Sequence, residues 1–297
     1  MICPICKSAR FIRPFHTGVT SWEYPGRFNF VRCHRCGLVF QFPRVPQSKI
    51  AQYYDPHSYW GRVTDAWAEY APLYITIFRL QPPGSILDVG CGLGLFLSQF
   101  QLRGWQTLGT EISPHMVKYA RRTYGLEVLT GDLLTLPIRR TFDVITLNNV
   151  LEHLYEPRLT LAKVHRLLKP HGLLAIVVPN IASLSHTVFG RRWYHLQPGR
   201  HVYHFSPASL AKLLSLTGFK ILKIDHTYWR HNYYSWFCNF RYNCSPRFVS
   251  GHPATSSQPS WRLNLGKIAA IIAASAGALL GQILGRGEVI TVYARKV

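Results

Sequence analysis

A glycine-rich stretch at residues 86–94, ILDVGCGLG, places a carboxylate just before a turn of the nucleotide-binding type. Gly90, Gly92 and Gly94 suit a tight strand-to-helix turn in which a ligand lies against the main chain. Leu follows Gly94, so the GxGxxG pattern of dinucleotide-binding proteins fails at its third glycine. Asp88 would repel a pyrophosphate, but it suits a ligand with a cationic amino-acid end. S-adenosylmethionine (SAM) has an ammonium group, a sulfonium and no phosphate, and it fits this pattern.

Further candidate cofactor ligands follow the next segments with strand character. Glu111 ends the second such segment, where a carboxylate could accept hydrogen bonds from both ribose hydroxyls of SAM. Asp132 follows the third segment and could accept from the adenine amino group, while Ile112 and Leu133 could sandwich the adenine ring. Asn148 ends the fourth segment and is expected to contact the methionine end of SAM. In open α/β sheets, ligands bind at this carboxyl edge.

Alternating strand-like and helix-like segments must position these residues. Apolar runs such as SILDV and FDVITLN predict buried strands, and SPHMVKYARRTYG predicts a helix that starts at Ser113 and Pro114 and stops at Gly125. EPRLTLAKVHRLLKPHG predicts another helix, with a Pro start and a Pro/Gly stop. The alternation indicates an α/β fold with a parallel sheet and helices on both faces.

Six motifs in order carry a family resemblance: ILDVGCGLG, LGTEISPHMVKYA, GDLLTLP, FDVITLNNVLEHL, LLKPHGLLAIVVPN and HFSPASLAKLLSLTGF. Together they resemble the class I SAM-dependent methyltransferases, and above all the enzymes similar to ubiquinone-biosynthesis O-methyltransferases and to small-molecule and glycan methyltransferases. The resemblance covers residues 84–225 and the C-terminal strand at 288–297. It implies SAM as cofactor and a Rossmann-like seven-stranded sheet whose last strand is antiparallel and lies between two others. The motifs do not specify the methyl acceptor.

Two CxxC pairs lie at the N-terminus, Cys3 with Cys6 and Cys33 with Cys36, separated by 26 residues. Four thiolates at this spacing suit a closed tetrahedral zinc site, so we expect a structural metal rather than a catalytic one. Residues 1–45 therefore resemble a zinc ribbon. The alternative is a set of four unligated core cysteines.

His153, in NNVLEHL just beyond the fourth strand segment, is the first candidate for the catalytic base. Methyl transfer to a hydroxyl requires alignment, a dry site and a group that takes the proton. Glu152 could orient His153, and His201 could close over the acceptor from a second cluster. A packing role is the alternative for His153, and it is favoured for His195 and His204.

The net charge and the cysteine content limit which partners and which cell compartment we expect. Lys and Arg number 34 against 13 Asp and Glu, a net charge of +21, which favours nucleic acid, an acidic lipid surface or a phosphorylated substrate. The N-terminus lacks the apolar run of a secretory signal, and the CxxC pairs suggest reduced thiols, so a cytoplasmic protein is expected. Residues 46–83 read as a linker with lid helices, in which Tyr53, Tyr54 and Tyr59 could cover the cofactor.

Residues 226–287 form a long insertion before the last strand. Its first part interleaves aromatic and basic residues, and its second, 268–285, has no charge and carries Gly277, Gly281 and Gly285 at four-residue spacing. One complete membrane span would leave the last strand on the wrong side of the bilayer. We therefore expect a membrane-facing element or, alternatively, a core or dimer helix.

The sequence thus predicts a SAM-dependent methyltransferase that acts on a hydroxyl of a small molecule, a sugar or a lipid-linked glycan, in some contact with an anionic membrane. One alternative is an RNA methyltransferase that uses the zinc ribbon and positive charge to bind nucleic acid. The Asn/Asp-Pro-Pro-aromatic motif of many base-amine methyltransferases is absent after the fourth strand, which makes this alternative less favoured. Another alternative is a SAM-binding or zinc-ribbon interaction protein without catalysis. The sequence does not specify an oligomeric state.

Overall fold

The computed structural model describes residues 1–20, 27–46, 66–226, 229–244 and 265–297. Its strands are β1 (Phe11–Thr20), β2 (Arg27–Cys33), β3 (Val39–Gln41), β4 (Ser85–Val89), β5 (Gln106–Glu111), β6 (Val128–Thr130), β7 (Phe142–Asn148), β8 (Leu168–Pro179), β9 (Tyr203–His204), β10 (Phe219–Asp225) and β11 (Val289–Lys296). Its α-helices are α1 (Ala66–Leu80), α2 (Leu95–Gln101), α3 (Pro114–Tyr124), α4 (Pro157–Leu167), α5 (Leu184–Phe189), α6 (Pro207–Leu216), α7 (Trp229–Cys244) and α8 (Leu265–Ile283).

The central element is a seven-stranded sheet with the order β10-β11-β8-β7-β4-β5-β6. Strands β8, β7, β4, β5 and β6 run parallel, and β11 runs antiparallel to both β8 and β10. Tyr293 of β11, for example, pairs with Ala175 on one side and Lys223 on the other. The predicted α/β fold, with the last strand antiparallel between two others, is confirmed.

Both faces of this sheet are buried, which explains the near-continuous apolar runs of its strands. In β4, Ile86 packs with α1, α2 and α3 on one face, and its neighbour Leu87 packs with α4 and α6 on the other. Val144 and Ile145 of β7 divide between the same two clusters. Successive side chains of a strand point to opposite faces, so each strand contributes to two cores.

The helix boundaries follow local capping chemistry. The Ser113 hydroxyl accepts a hydrogen bond from the Met116 N–H at the start of α3, and Gly125 ends that helix with a φ of 64°, as predicted. The prediction for α4 was wrong at its C-terminal end, which is Leu167 rather than Gly172. Because Leu168 already pairs with Phe142 of β7, the KPHG segment belongs to the long strand β8.

A second sheet of four strands has the order β1-β2-β3-β9. Its fourth strand comes from beyond residue 200, and Val39 and Phe40 of β3 pair with His204 and Tyr203. Cys3 packs in the same buried cluster as the core of the seven-stranded sheet. The segment predicted as a zinc ribbon over residues 1–45 therefore shares both a sheet and a core with the rest of the chain.

Part of the predicted linker over 46–83 is a core helix. Leu73, Tyr74 and Ile77 of α1 are fully buried, and the Tyr74 ring stacks on Phe96 of α2 at 4.8 Å between centroids. This helix packs in the buried cluster on one face of the sheet. Tyr53, Tyr54 and Tyr59, the other predicted lid residues, lie outside the described residues.

The insertion contributes α7 and α8, which pack against each other and against α5. A Cβ atom on Gly277 would lie 2.7 Å from the Trp236 ring, and one on Gly281 would lie 3.1 Å from the Arg286 carbonyl oxygen. Gly277 and Gly281 thus face the protein's own interior, whereas Gly285 is exposed and a Cβ there would meet nothing within 4 Å. Across the described residues, α8 included, no helix has the length and apolarity that a membrane crossing requires.

Candidate active site

The glycine loop joins β4 to α2, and its three glycines differ in what a side chain there would meet. Gly90 and Gly94 have φ angles of 70° and 81°, and a Cβ atom on either would lie within 2.6 Å of a neighbouring side chain. Gly92 has a φ of 54°, but a Cβ there would meet nothing within 4 Å. Gly90 and Gly94 therefore allow the tight turn and the close approach of neighbouring side chains. Gly92 exposes its backbone toward open space, as a ligand-binding loop requires.

Asp88 lies behind this loop rather than at its mouth, where the sequence pattern placed it. It is only 2% exposed, and its Oδ1 accepts a hydrogen bond of 2.6 Å from the Thr146 hydroxyl of β7. Burial raises the pKa of Asp88 to about 7, against the opposing effect of the Thr146 hydrogen bond. The reason is register, because Asp88 and Thr146 are directly paired in the sheet.

Glu111 ties the glycine loop to the next strand and helix. Its Oε2 accepts from the Gly92 N–H at 3.0 Å, and its Oε1 accepts from the Ser113 N–H at 2.9 Å. The carboxylate thus orders the loop and the start of α3 while each oxygen keeps a further acceptor position. This is the geometry expected of a residue at the rim of a cofactor site.

The remaining predicted cofactor residues lie at the carboxyl ends of β5, β6 and β7. Ile112 is 62% exposed at this edge, whereas Leu133 is 3% exposed and packs in the core. Only Ile112 therefore presents an apolar surface for a ring. Asp132 accepts from the Leu134 N–H at 2.7 Å, and the Asn148 side-chain oxygen accepts from Asn149.

His153 and His201, far apart in the sequence, form one cluster. Their ring centroids are 4.8 Å apart. The His153 Nδ1 is 3.0 Å from the Arg200 carbonyl oxygen, and the His201 Nδ1 is 2.7 Å from the His195 carbonyl oxygen. A carbonyl oxygen can only accept, so each Nδ1 carries the proton and each Nε2 presents a lone pair.

Glu152 completes this cluster. It precedes His153 in a short 3-10 helix, Leu151–His153, and its Oε1 lies 4.0 Å from the His153 Nε2. Its side chain is 1% exposed, and neither carboxyl oxygen has a hydrogen-bond partner among the described residues. Burial raises the pKa of Glu152 to about 8 and lowers the pKa of His153 to about 4.

The cluster can serve acid–base chemistry, since the neutral His153 imidazole lies beside the buried Glu152 carboxyl group. The ligand atoms of Glu152, His153 and His201 also lie within 4.8 Å of one another, so the same set could bind a metal ion. His195 and His204, expected to be packing residues, are buried and bond to the Ser235 hydroxyl and the Leu196 carbonyl oxygen.

The four cysteines of the CxxC pairs converge. The Cys3 Sγ lies 3.6 Å from the Cys36 Sγ, and the Cys6 Sγ lies 3.5 Å from the Cys33 Sγ. Around a tetrahedral zinc ion with Zn–S bonds of about 2.3 Å, sulfurs lie about 3.8 Å apart. The hydrogen bond from Cys36 lowers the pKa of Cys3 to about 5. The donor set fits zinc in type, number and spacing.

Two residues that the sequence did not mark connect the cysteine sheet, which consists of β1, β2, β3 and β9, to the histidine cluster of Glu152, His153 and His201. Arg44, just after β3, donates a hydrogen bond to the Tyr155 carbonyl oxygen at 3.0 Å and another to the Tyr203 hydroxyl at 2.9 Å. Gln41 is buried and accepts from the Gly199 N–H at 2.9 Å. No motif marks them, because their partners lie more than 100 residues away in sequence.

With this geometry in place, comparison with known proteins decides the family. The methyltransferase domain model matches residues 59–224, more than half of the chain. The chain belongs to the methyltransferase domain family. The prediction from the six motifs, a SAM-dependent methyltransferase family member, is thereby confirmed.

Relatives of this methyltransferase include the ubiquinone biosynthesis O-methyltransferase of Xanthomonas axonopodis pv. citri, 32% identical over 48% of this chain and 66% of the relative. An uncharacterized 37.1 kDa protein of transposon TN4556 from Streptomyces fradiae is 32% identical over 41% of this chain and 38% of its own length. The chain thus spans less than two thirds of these curated relatives.

Solved structures support the fold of this methyltransferase. A SAM-dependent methyltransferase from Archaeoglobus fulgidus aligns with a TM-score of 0.50 at 21% identity, over 76% of this chain and 92% of that chain. A candidate sarcosine dimethylglycine methyltransferase from Galdieria sulphuraria aligns with a TM-score of 0.51 at 17% identity, over 78% and 84%. At these identities the likeness concerns the fold alone.

Proposed function

We propose that this protein transfers the methyl group of SAM to a hydroxyl of a small-molecule acceptor, a class that includes sugars and lipid-linked glycans. The observation that carries the proposal is the neutral His153, with its Nε2 lone pair fixed beside the carboxyl edge of the sheet. The O-methyltransferase name of the Xanthomonas relative supports oxygen as the methylated atom.

Bound SAM would supply an electrophilic methyl group on a sulfonium. The chain's own residues hold the reactants: Glu111 orders the glycine loop, and the loop backbone at Gly92 lies open to a ligand. On transfer of that methyl group to the acceptor oxygen, the His153 Nε2 would accept the hydroxyl proton. An imidazolium there would favour the ionised form of Glu152, whose Oε1 is 4.0 Å away.

The four cysteines are proposed to bind one structural zinc ion. Support comes from the sulfur spacing and from the burial of Cys3, Cys33 and Cys36. All four positions of a tetrahedral ion would be filled by protein, so the metal would stabilise the fold and take no part in methyl transfer.

Contact with an anionic membrane is proposed for the outer face of α8. Large apolar side chains stand exposed there and just beyond it: Ile272, Leu279, Leu280, Ile283 and Leu284. The net charge of +21 would attract anionic lipid, and an apolar face combined with basic charge gives stable peripheral binding.

The methyl-transfer proposal is tested first by calorimetry with SAM and with NAD. SAM should bind and NAD should not, and equal binding of NAD would refute the proposal. The acceptor is then sought by comparing metabolites of cells with and without the protein, where a compound lighter by one methyl group should accumulate. Label transfer from methyl-labelled SAM to that compound by the purified protein completes the test.

The membrane proposal is tested by flotation with anionic liposomes at low and high salt. Leu280→Glu combined with Ile283→Glu should abolish flotation, and high salt should weaken it. Leu102→Glu, at an exposed apolar residue far from α8 in sequence, is the matched control and should float like the wild type. A wild-type protein that ignores anionic liposomes at low salt would contradict membrane contact.

A further inference from the structure

The segment that carries His201 lies between two parts of the molecule. On one side it bonds to the cysteine sheet: the Gln41 N–H donates to the Val202 carbonyl oxygen at 3.1 Å, and the Gln41 Oε1 accepts from the Gly199 N–H at 2.9 Å. These contacts flank His201 by one residue on its C-terminal side and by two on its N-terminal side. The position of the imidazole therefore depends on β3.

On its other side the same segment bonds to the loop that carries His153. The Val202 N–H donates to the Glu152 carbonyl oxygen at 2.9 Å, and the Arg200 carbonyl oxygen accepts from the His153 Nδ1 at 3.0 Å. The segment 199–204, which carries His201, thus lies between β3 and the loop that carries His153. A displacement of β3 would reach both imidazoles through it.

Arg44 makes a second connection between the same parts. Its Nη1 bonds to the Tyr155 carbonyl oxygen and to the Tyr203 hydroxyl, and that hydroxyl itself donates to the Tyr155 carbonyl oxygen at 3.0 Å. The guanidinium also lies 5.5 Å from the centroid of the Tyr155 ring. The end of β3 is therefore fixed to the loop just after His153.

The cysteine site sets where β3 begins. The Cys33 N–H donates to the Leu38 carbonyl oxygen at 2.8 Å, and the Gly37 N–H donates to the Cys33 carbonyl oxygen at 3.0 Å. These bonds close the second CxxC turn directly onto β3. A metal ion held by the four cysteines would fix that turn, and with it the strand.

We propose that Gln41 and Arg44 are positioning residues that transmit the order of the cysteine site to His153 and His201. In this inference, which rests on the proposed acceptor site, the cysteine sheet keeps the acceptor side of the enzyme ordered and does not affect its cofactor side. The Gln41 side chain is the principal link because it is 3% exposed and its loss leaves a buried N–H at Gly199 without an acceptor.

The test uses the full chain with its metal and four variants. Gln41→Leu removes the acceptor for Gly199, Gln41→Glu keeps an oxygen at that position, and Arg44→Ala removes the second link. Arg35→Ala, an exposed arginine on the second CxxC turn, is the matched control. Zinc content, SAM affinity, amide hydrogen exchange over residues 199–205 and the ¹⁵N tautomer signals of the two histidines are measured for each.

In Gln41→Leu, exchange over 199–205 should become about tenfold faster, and the Nδ1–H tautomer signals of His153 and His201 should weaken. Arg44→Ala should show a smaller change of the same kind. Gln41→Glu keeps the acceptor for Gly199 but loses the Nε2 donor to the Pro43 carbonyl oxygen, so it should lie closer to the wild type than Gln41→Leu. Arg35→Ala should match the wild type. Zinc should remain at one equivalent per chain and SAM affinity should be unchanged in every variant.

Removing zinc from the wild type with a chelator should reproduce the Gln41→Leu pattern, with exchange over 106–111 unaffected. Histidine signals and exchange in Gln41→Leu that equal those of the wild type would overturn the inference. A fold-loss of SAM affinity in Gln41→Leu as large as its fold-increase in exchange over residues 199–205 would also overturn the inference. Failure of the wild type to bind SAM would instead refute the proposed function, so the two failures are distinguishable.

Discussion

The cofactor edge and the acceptor side of this protein are built in different ways. The cofactor edge takes its residues from the ends of consecutive strands, and the Glu111 carboxylate accepts from the N–H groups of Gly92 and Ser113, fewer than 20 residues away. The proposed acceptor side joins β3, the loop after β7 and β9 through contacts that span, for example, 47 residues between His153 and Arg200 and 158 between Gln41 and Gly199. At the cofactor edge, neighbouring parallel strands align the residues by topology. On the proposed acceptor side, the residues are aligned by long-range pairing between β3 and β9, which the cysteine sheet provides.

The two regions also treat buried charge differently. At the cofactor edge, Asp88 and Glu111 accept hydrogen bonds from a hydroxyl and from backbone N–H groups. On the acceptor side, the Glu152 carboxyl oxygens have no hydrogen-bond partner among the described residues. A buried carboxyl group of that kind costs stability, and such groups are often retained for function.

The largest effect is expected at the cysteines. Cys33→Ser combined with Cys36→Ser should abolish zinc binding, which in small zinc domains is worth about 10–16 kcal/mol. The loss should disorder the cysteine sheet and β9, while the glycine loop still binds SAM. Elemental analysis and limited proteolysis test this, and Cys238→Ser is the control. Zinc that persists in the double variant, or no zinc in the wild type, would contradict the site.

The next effect concerns catalysis. If His153 is the base, His153→Ala should lower turnover by about 10²–10⁴ and leave SAM affinity nearly intact, because the imidazole acts only on the acceptor proton. Turnover is measured on the acceptor identified by metabolite comparison, with the exposed His34→Ala as control. Undiminished turnover would move the role to His201 or show that alignment alone suffices.

On the cofactor edge the expected effects are smaller. Glu111→Ala should weaken SAM binding by about 1–3 kcal/mol through loss of charge-assisted hydrogen bonds, and Asp88→Ala should weaken it by a similar amount through loss of loop order, because Asp88 is buried behind the loop. Glu127→Ala is a matched control, since Glu127 lies in a surface ion pair with Arg140. Calorimetry gives the affinities. Equal affinities for Glu111→Ala and the control would remove Glu111 from the cofactor site.

A pH dependence is expected outside both regions. Burial raises the pKa of Glu288 to about 7, while the Ser185 and Trp193 hydrogen bonds oppose the rise. The folded state keeps this proton where the unfolded state has lost it, so stability should fall as pH rises from about 4.5 through 7. Urea midpoints at pH 5 and pH 8 should differ less in Glu288→Gln than in the wild type. An equal difference in both proteins would exclude Glu288 as the cause.

Much of the cofactor edge could be predicted because it obeys local rules. The strand ends, the Ser113 and Gly125 caps and the glycine loop each follow from residue type and short spacing. The burial of Asp88 and Leu133 could not be predicted, since it depends on register with β7 and on core packing. The sequence suggested that Glu152 could orient the adjacent His153, but the 3-10 turn that places the Glu152 Oε1 4.0 Å from the His153 Nε2 is visible only in the structure.

The sequence by itself determined the α/β alternation, the family and the two CxxC pairs, because these depend on periodicity, turn chemistry and spacing within one segment. Only the tertiary structure decided that the cysteine sheet takes β9 as its fourth strand, that Gln41 and Arg44 reach the histidine loop, and that His153 and His201 meet. The physical reason is that pairing between distant strands is selected by the whole packed core. No single stretch of residues encodes it.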